Sequence, residues 1–262
     1  MNDIRLVLFI RKQRLLKSLN KSLQILEFLS GKKKYYGITE ISSALNLYKS
    51  NVHEILSTFE AFGYVKKDPA TRQYCLSLKF LHMAHLIGER FSFQHQLHEK
   101  LHDLCEKLGE AIFFAVYEDN QALILDGVFP YNSRILNQSI VGQSYPLHCT
   151  AAGKVFFANL PCEQVEELLL KQRESFTEYT ITDKQNLFNE LAEIRQRGYS
   201  VESMEYAYGV KSLAVPVFNA KQKIVGALAI TGPSLRFPRQ VYGRYVKELK
   251  ILANDIGPAI IL

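Results

Sequence analysis

Between residues 18 and 78 the apolar positions recur first at helical and then at strand spacing. From Asn20 to Ser30, Leu23, Ile25, Leu26 and Leu29 form a helical stripe that Gly31 stops, so a helix is predicted there. Gly31 to Gly37 (GKKKYYG) reads as a loop. Thr39 is placed to cap a short helix through Ile41, Ala44 and Leu45, and Asn46 suits a left-handed turn. A second helix is predicted from Tyr48 to Ala61. Val52, Ile55, Leu56, Phe59 and Phe62 make its apolar face; Lys49, Ser50, Asn51, His53, Ser57 and Thr58 lie opposite. After Gly63 the pattern switches to strands. Residues 64–67 and 73–76 flank the turn-rich Asp68-Pro-Ala-Thr-Arg72, which predicts a hairpin. A helix, a helix-turn-helix and a hairpin together make a winged helix.

The rest of the chain alternates strands with helices. Leu78 to Phe91 is predicted to be a linker helix, followed by a helix over 93–108 with Leu97, Leu101, Leu104 and Leu108 in one stripe. Strands are predicted at 111–117 and 122–128, then helices at 150–158, 162–170 and 183–197. Further strands follow at 199–202, 213–218 and 224–231. A last helix runs from Pro238 toward Ile256, ended by Gly257-Pro258. Paired strands with helical interludes imply an α+β class, an antiparallel sheet flanked by helices. The chain thus divides into a basic extension (1–17), readable as a short helix or an arm, a winged helix (18–78), a linker helix (79–92) and a sheet domain (93–262).

Composition narrows the function classes. At roughly 100–200 residues per domain, 262 residues suit two domains. The apolar run Leu6–Ile10 is far too short for a membrane helix or a signal-peptide core, and the four cysteines (Cys75, Cys105, Cys149, Cys162) form no CxxC pair. A reducing, cytoplasmic setting is therefore expected, without a membrane partner, metal or cofactor. The phosphate loop, dinucleotide fingerprint, HExxH and GxSxG motifs are all absent. The charge is lopsided. Residues 1–77 carry 13 Lys+Arg against 6 Asp+Glu, a net of +7, and the remainder 19 against 20, a net of −1. That asymmetry suits a nucleic-acid-binding end on a neutral body.

A helix face bearing Lys49, Ser50, Asn51, His53 and Ser57 fits the major groove, whose base edges accept and donate hydrogen bonds. Lys49, with Lys66, Lys67 and Arg72 on the hairpin, suits phosphates or, for the hairpin, the minor groove. Double-stranded DNA is the expected partner; a winged helix used for protein contacts is the alternative. Glu54, on the same helix, either accepts from cytosine N4 or faces solvent.

Several separated motifs then carry a family resemblance: Lys-Ser-Leu-Gln-Ile-Leu, Leu-Tyr-Lys-Ser-Asn-Val-His-Glu-Ile-Leu, Phe-Gly-Tyr-Val-Lys-Lys-Asp-Pro, Gly142 to Lys154 (GQSYPLHCTAAGK), Arg197 to Glu202 (RGYSVE) and Val225 to Pro233 (VGALAITGP). In this order they resemble the isocitrate lyase regulator (IclR) family of transcriptional regulators over about residues 18–256. The resemblance implies a winged-helix domain, a linker helix, a GAF-like effector domain, a dimer or dimer of dimers, and a small carboxylate effector.

Residues 148–154 (HCTAAGK) enter a helix. Small residues there either leave backbone N–H groups open to an anion or simply allow close packing with Thr150 as a cap. The resemblance puts Ala151 and Ala152 in the effector pocket, beside Thr150 and Gly153. It also maps Glu202, Val210, Ser212, Ala229 and Thr231 there. Glu202 stands where the family has an aspartate, and reads as a longer reach into the cavity or a surface ion pair. Ala229 stands where a hydroxyl is common; a buried ligand group left unpartnered costs about 1–3 kcal/mol. Two rival chemistries are thinner. His95, His98 and His102 share a helix face that a metal would need to complete with further ligands. His148-Cys149 offers a cysteine-enzyme reading, but adjacent side chains diverge.

Overall fold

The computed structural model describes residues 16–31, 33–90, 94–131, 140–170 and 173–260. The basic extension therefore lies almost wholly outside the described residues. The chain divides into two compact units, Met1–Phe91 and Ser92–Leu262.

In the first unit α1 (Lys17–Leu29), α2 (Ile38–Leu45) and α3 (Lys49–Ala61) precede the hairpin β1 (Val65–Lys67) and β2 (Tyr74–Leu76), and α4 (Lys79–Arg90) follows. The core is what the helical spacing demands: Ile25 and Leu29 of α1, Ile41 of α2, and Val52 and Leu56 of α3 are buried with Val65 and Tyr74 of the hairpin. Tyr36 and Tyr74 exchange backbone hydrogen bonds of 2.9 Å, tying the loop before α2 to the wing. Two local expectations are corrected. The cap of α2 is Gly37, not Thr39, because the helix starts at Ile38. Phe62 is 68% exposed, because it sits at the C-cap, where the helical phase ends. Asn46 does take the left-handed turn, at φ 51°.

The second unit is a six-stranded antiparallel sheet with helices on both faces. Its elements in order are α5 (Gln94–Leu108), β3 (Ala111–Glu118), β4 (Gln121–Val128), β5 (Ser144–Tyr145), α6 (Ala151–Asn159), α7 (Cys162–Leu169), α8 (Lys184–Arg197), β6 (Ser200–Ser203), β7 (Val210–Phe218), β8 (Ile224–Pro233) and α9 (Arg239–Ile256). The strand order is β5-β4-β3-β8-β7-β6. Alternation along each strand sorts side chains between two cores. Leu213, Val215, Leu228 and Ile230 pack under α5 and α9. Ala111, Phe113, Ala214, Ala227 and Ala229 pack under α6, α7 and α8. The α+β architecture read from the pattern is the one observed. β7 begins at Val210, three residues before the predicted start, and the two-residue β5 is an addition.

Candidate functional site

Strand register sets the floor of the effector-side site. Glu202 pairs with Ser212, Ser212 with Thr231, and Thr231 with Ala111, a single row across four strands. The next row holds Ser200, Ala214, Ala229 and Phe113. Directly paired residues share a face, so both rows face α6. Thr231 Oγ1 donates to Ser212 Oγ at 2.9 Å, and Ser200 Oγ donates to the Ala151 carbonyl at 2.6 Å. Val210 lies two residues along from Ser212 on the same face.

The start of α6 lies over this floor. Thr150 caps it: its hydroxyl accepts from Gly153 N at 3.2 Å and donates to the Pro146 carbonyl at 2.7 Å. Gly153 is required by close approach, since a Cβ there would lie 2.5 Å from Leu147 Cα. The N–H groups of Ala151 and Ala152 have no acceptor among the described residues, at the positive end of the helix dipole. The predicted residues Thr150, Ala151, Ala152, Gly153, Glu202, Ser212, Ala229 and Thr231 thus share one face and one helix start.

Glu202 is buried rather than in a surface ion pair. Its Oε1 accepts from the backbone N–H of Glu205 at 2.7 Å and of Tyr206 at 3.3 Å. Burial pushes its carboxyl up to about 7, against the pull of those two N–H groups. Sequence reasoning did not single out several of the neighbours. Lys154 is 1% exposed, and its Nζ donates to Glu205 Oε1 and the Val201 carbonyl, both at 2.6 Å. A lysine inside the apolar run AAGKVFFA was the available signal. An aromatic chain runs from Tyr145 to Tyr206 (5.4 Å), to Phe176 (5.0 Å) and to His148 (6.1 Å). His148 meets the Glu174 carbonyl through Nε2 at 2.9 Å, and burial lowers its pKa.

Cys149 is buried, and burial with Glu205 and Glu202 nearby pushes its thiol far above the ordinary range, so it is no nucleophile near neutral pH. His98 bonds Asp126 through Nδ1 at 3.0 Å and His102 is exposed; the side chain of His95 lies outside the described residues. Among the described residues no three His, Cys, Asp or Glu side chains are grouped to hold a metal ion, and no helix is long and apolar enough to cross a membrane.

In the first unit Lys49, Ser50 and His53 are exposed on α3, with Asn51 and Ser57 half-buried beside them. Glu54 is exposed on the same helix. On the hairpin Lys66 is exposed and Arg72 turns the tip at φ 57°. Lys67 lies half-buried, its Nζ 5.3 Å from the Tyr74 ring centre. One helix face and one wing therefore present the predicted polar and cationic groups.

Known proteins match at both ends. The bacterial transcriptional regulator IclR C-terminal model matches residues 89–257, and the IclR helix-turn-helix domain matches residues 18–69. The glycerol operon regulatory protein of Streptomyces griseus is 33% identical over 250 residues, 94% of this chain and 95% of that protein. The transcriptional repressor IclR of Escherichia coli (strain K12) is 30% identical over 227 residues, 84% of this chain and 81% of that one. The crystal structure of an IclR transcriptional regulator from Alicyclobacillus acidocaldarius has the same fold, with a TM-score of 0.81 at 24% identity over 93% of this chain and 98% of that chain. The chain belongs to the IclR family of bacterial transcriptional regulators: it is a regulator rather than an enzyme, with a helix-turn-helix DNA-binding domain and a C-terminal effector domain.

Proposed function

We propose that this protein represses a neighbouring catabolic operon in the cytoplasm and that a small carboxylate, a sugar acid, keto acid or aromatic acid, sets its hold on DNA. The observation that carries the effector reading is the pair of unclaimed N–H groups at Ala151 and Ala152, buried beside the Glu202–Ser212–Thr231 row. Two convergent N–H groups at a helix start suit a carboxylate, and the row of oxygens suits hydroxyl or carbonyl groups farther along the ligand. Ser50, Asn51, His53 and Ser57 read the major groove, while Lys49 holds the phosphate backbone and Lys66, Lys67 and Arg72 hold the backbone or the minor groove. Repression and operon control are supported by the names of the two relatives above.

The protein acts as a homo-oligomer, a dimer or tetramer, on paired half-sites about one DNA turn or a multiple apart. Support comes from α4, where Met83, Leu86 and Ile87, at i, i+3 and i+4 on one face, stand 40%, 44% and 55% exposed, an apolar surface suited to pairing the DNA heads. Effector binding shifts the DNA-bound population by a coupling of about 1–3 kcal/mol.

A gel shift with DNA upstream of neighbouring genes tests both halves. Salt-sensitive retention, relieved by at least one of the sugar, keto or aromatic acids, is the expected result. Absence of retention on any genomic fragment overturns the DNA reading. Retention that no acid alters overturns the effector reading alone.

A further inference from the structure

β6 is an edge strand of the sheet, and a groove of about 690 Å³ runs along it. Neither Glu202 nor the Ser212–Thr231 pair lines this groove, so it is separate from the site above. Its walls include Lys211 of β7 and Arg239 of α9. Neither cation has an ion pair or side-chain hydrogen bond among the described residues, whereas Arg197, also on the wall, is held by Glu190 at 2.7 Å. Arg239 is also the first residue of α9, whose cap Pro238 offers no side-chain acceptor and whose first turn has no acid. Two uncompensated cations beside an uncapped helix start favour an anion.

The floor asks for something different. Glu205 lines the groove at 5% exposure; its Oε1 takes Lys154, but its buried Oε2 has no hydrogen-bond partner. That oxygen is sealed from solvent as it stands, so a donor on an incoming molecule meets it only as the carboxylate turns toward the groove. Tyr199 and Tyr242 supply flat apolar sides.

We propose that this groove is a second ligand site for a small anion that also carries a hydroxyl or ammonium donor, such as a hydroxycarboxylate or a sugar phosphate. The floor connects it to the first site. The backbone N–H of Glu205 donates to Glu202, and Lys154 belongs to α6, whose first residues form the effector site. Occupancy of the groove therefore changes the affinity of the α6 site, and the reverse holds by linkage. That coupling, though not the groove itself, rests on the effector reading of α6.

Calorimetry on the full chain tests the site with three probes: citrate (carboxylates and a hydroxyl), glycerol 3-phosphate (phosphate and hydroxyls) and sulfate, an anion without a donor. Citrate or glycerol 3-phosphate is expected to bind, and the better of the two identifies the anionic group. Sulfate binds more weakly. The double variant Lys211→Gln/Arg239→Gln loses about tenfold or more in affinity. Failure of both donor-bearing probes at millimolar concentration, binding unchanged in the double variant, or sulfate binding equally well each overturns the proposal. So does a change in oligomeric state of the double variant by light scattering, which makes the groove a subunit contact. The coupling is read separately, from whether the bound probe alters relief of DNA retention by the active acid. If no acid relieves retention, the effector reading fails while the groove still stands or falls on calorimetry.

Discussion

The ammonium of Lys154 and the carboxylate of Glu205 meet at 2.6 Å with side chains only 1% and 6% exposed. The lysine starts in α6 and the glutamate just beyond β6, so the pair ties the effector-site helix to the sheet edge. Glu190 adds a second carboxylate 3.7 Å from the same ammonium. A buried pair contributes less than its separation suggests, because both charges lost their water. Breaking it on one side is another matter.

Lys154→Met leaves Glu205 buried without its cation and should cost about 3–5 kcal/mol of stability. Lys154→Met/Glu205→Gln removes both charges and should recover most of that loss. Urea unfolding followed by circular dichroism checks both variants. A single variant within about 1 kcal/mol of wild type would show that the pair is not buried as described.

Glu202 sets a pH dependence. Its folded carboxyl is raised from an ordinary 4.5 to about 7, so between those values the folded chain holds a proton that the unfolded chain has released. Its stabilising contribution is complete below pH 4.5 and lost as pH rises to about 7. The change is on the order of 3 kcal/mol if Glu202 acts alone. Glu202→Gln should flatten that slope. Binding of a carboxylate effector should also weaken as the pH passes 7, since Glu202 then adds a like charge. An equally steep slope in the variant would assign it to another group.

Gly153→Ala is the sharpest steric test. The added methyl meets backbone, Leu147 Cα at 2.5 Å and the Leu147 and Pro146 carbonyls at 2.6 Å each, which cannot swing aside. Helix propensity favours alanine by about 1 kcal/mol, yet overpacking should win, for a net loss of about 1–3 kcal/mol. Thermal melts decide the sign; a higher midpoint would mean that the turn before α6 yields.

These sites differ in how far the sequence exposes them. Val52 and Leu56 are legible because a surface helix must repeat its buried face, and Thr150 because caps are local. The Ser212–Thr231 contact is legible only through family likeness, since strand register is a long-range property. Glu205 left no local mark: its partner is 51 residues away, and nothing around SMEYAYG signals burial. Phe62 misled because helical phase was carried past the end of α3, and Thr39 because a good capping residue need not be the cap.

Lys49 is the first residue of α3 and exposed, and its side chain has no ion pair, hydrogen bond or cation–π contact among the described residues. The proposed DNA reading puts it where a helix start approaches the phosphate backbone. Neutralising one phosphate releases about 0.9 counterion on duplex DNA, so Lys49→Ala should lower the salt slope of binding by about one unit. Affinity should fall for specific and nonspecific DNA alike, because a phosphate contact carries no base information. Asn51→Ala should behave oppositely if Asn51 reads a base edge, losing about 1–3 kcal/mol on the operator alone with the salt slope unchanged. Fluorescence anisotropy across a salt series separates the two. An unchanged slope for Lys49→Ala removes Lys49 from the backbone contact and leaves Lys66 or Arg72 to supply it.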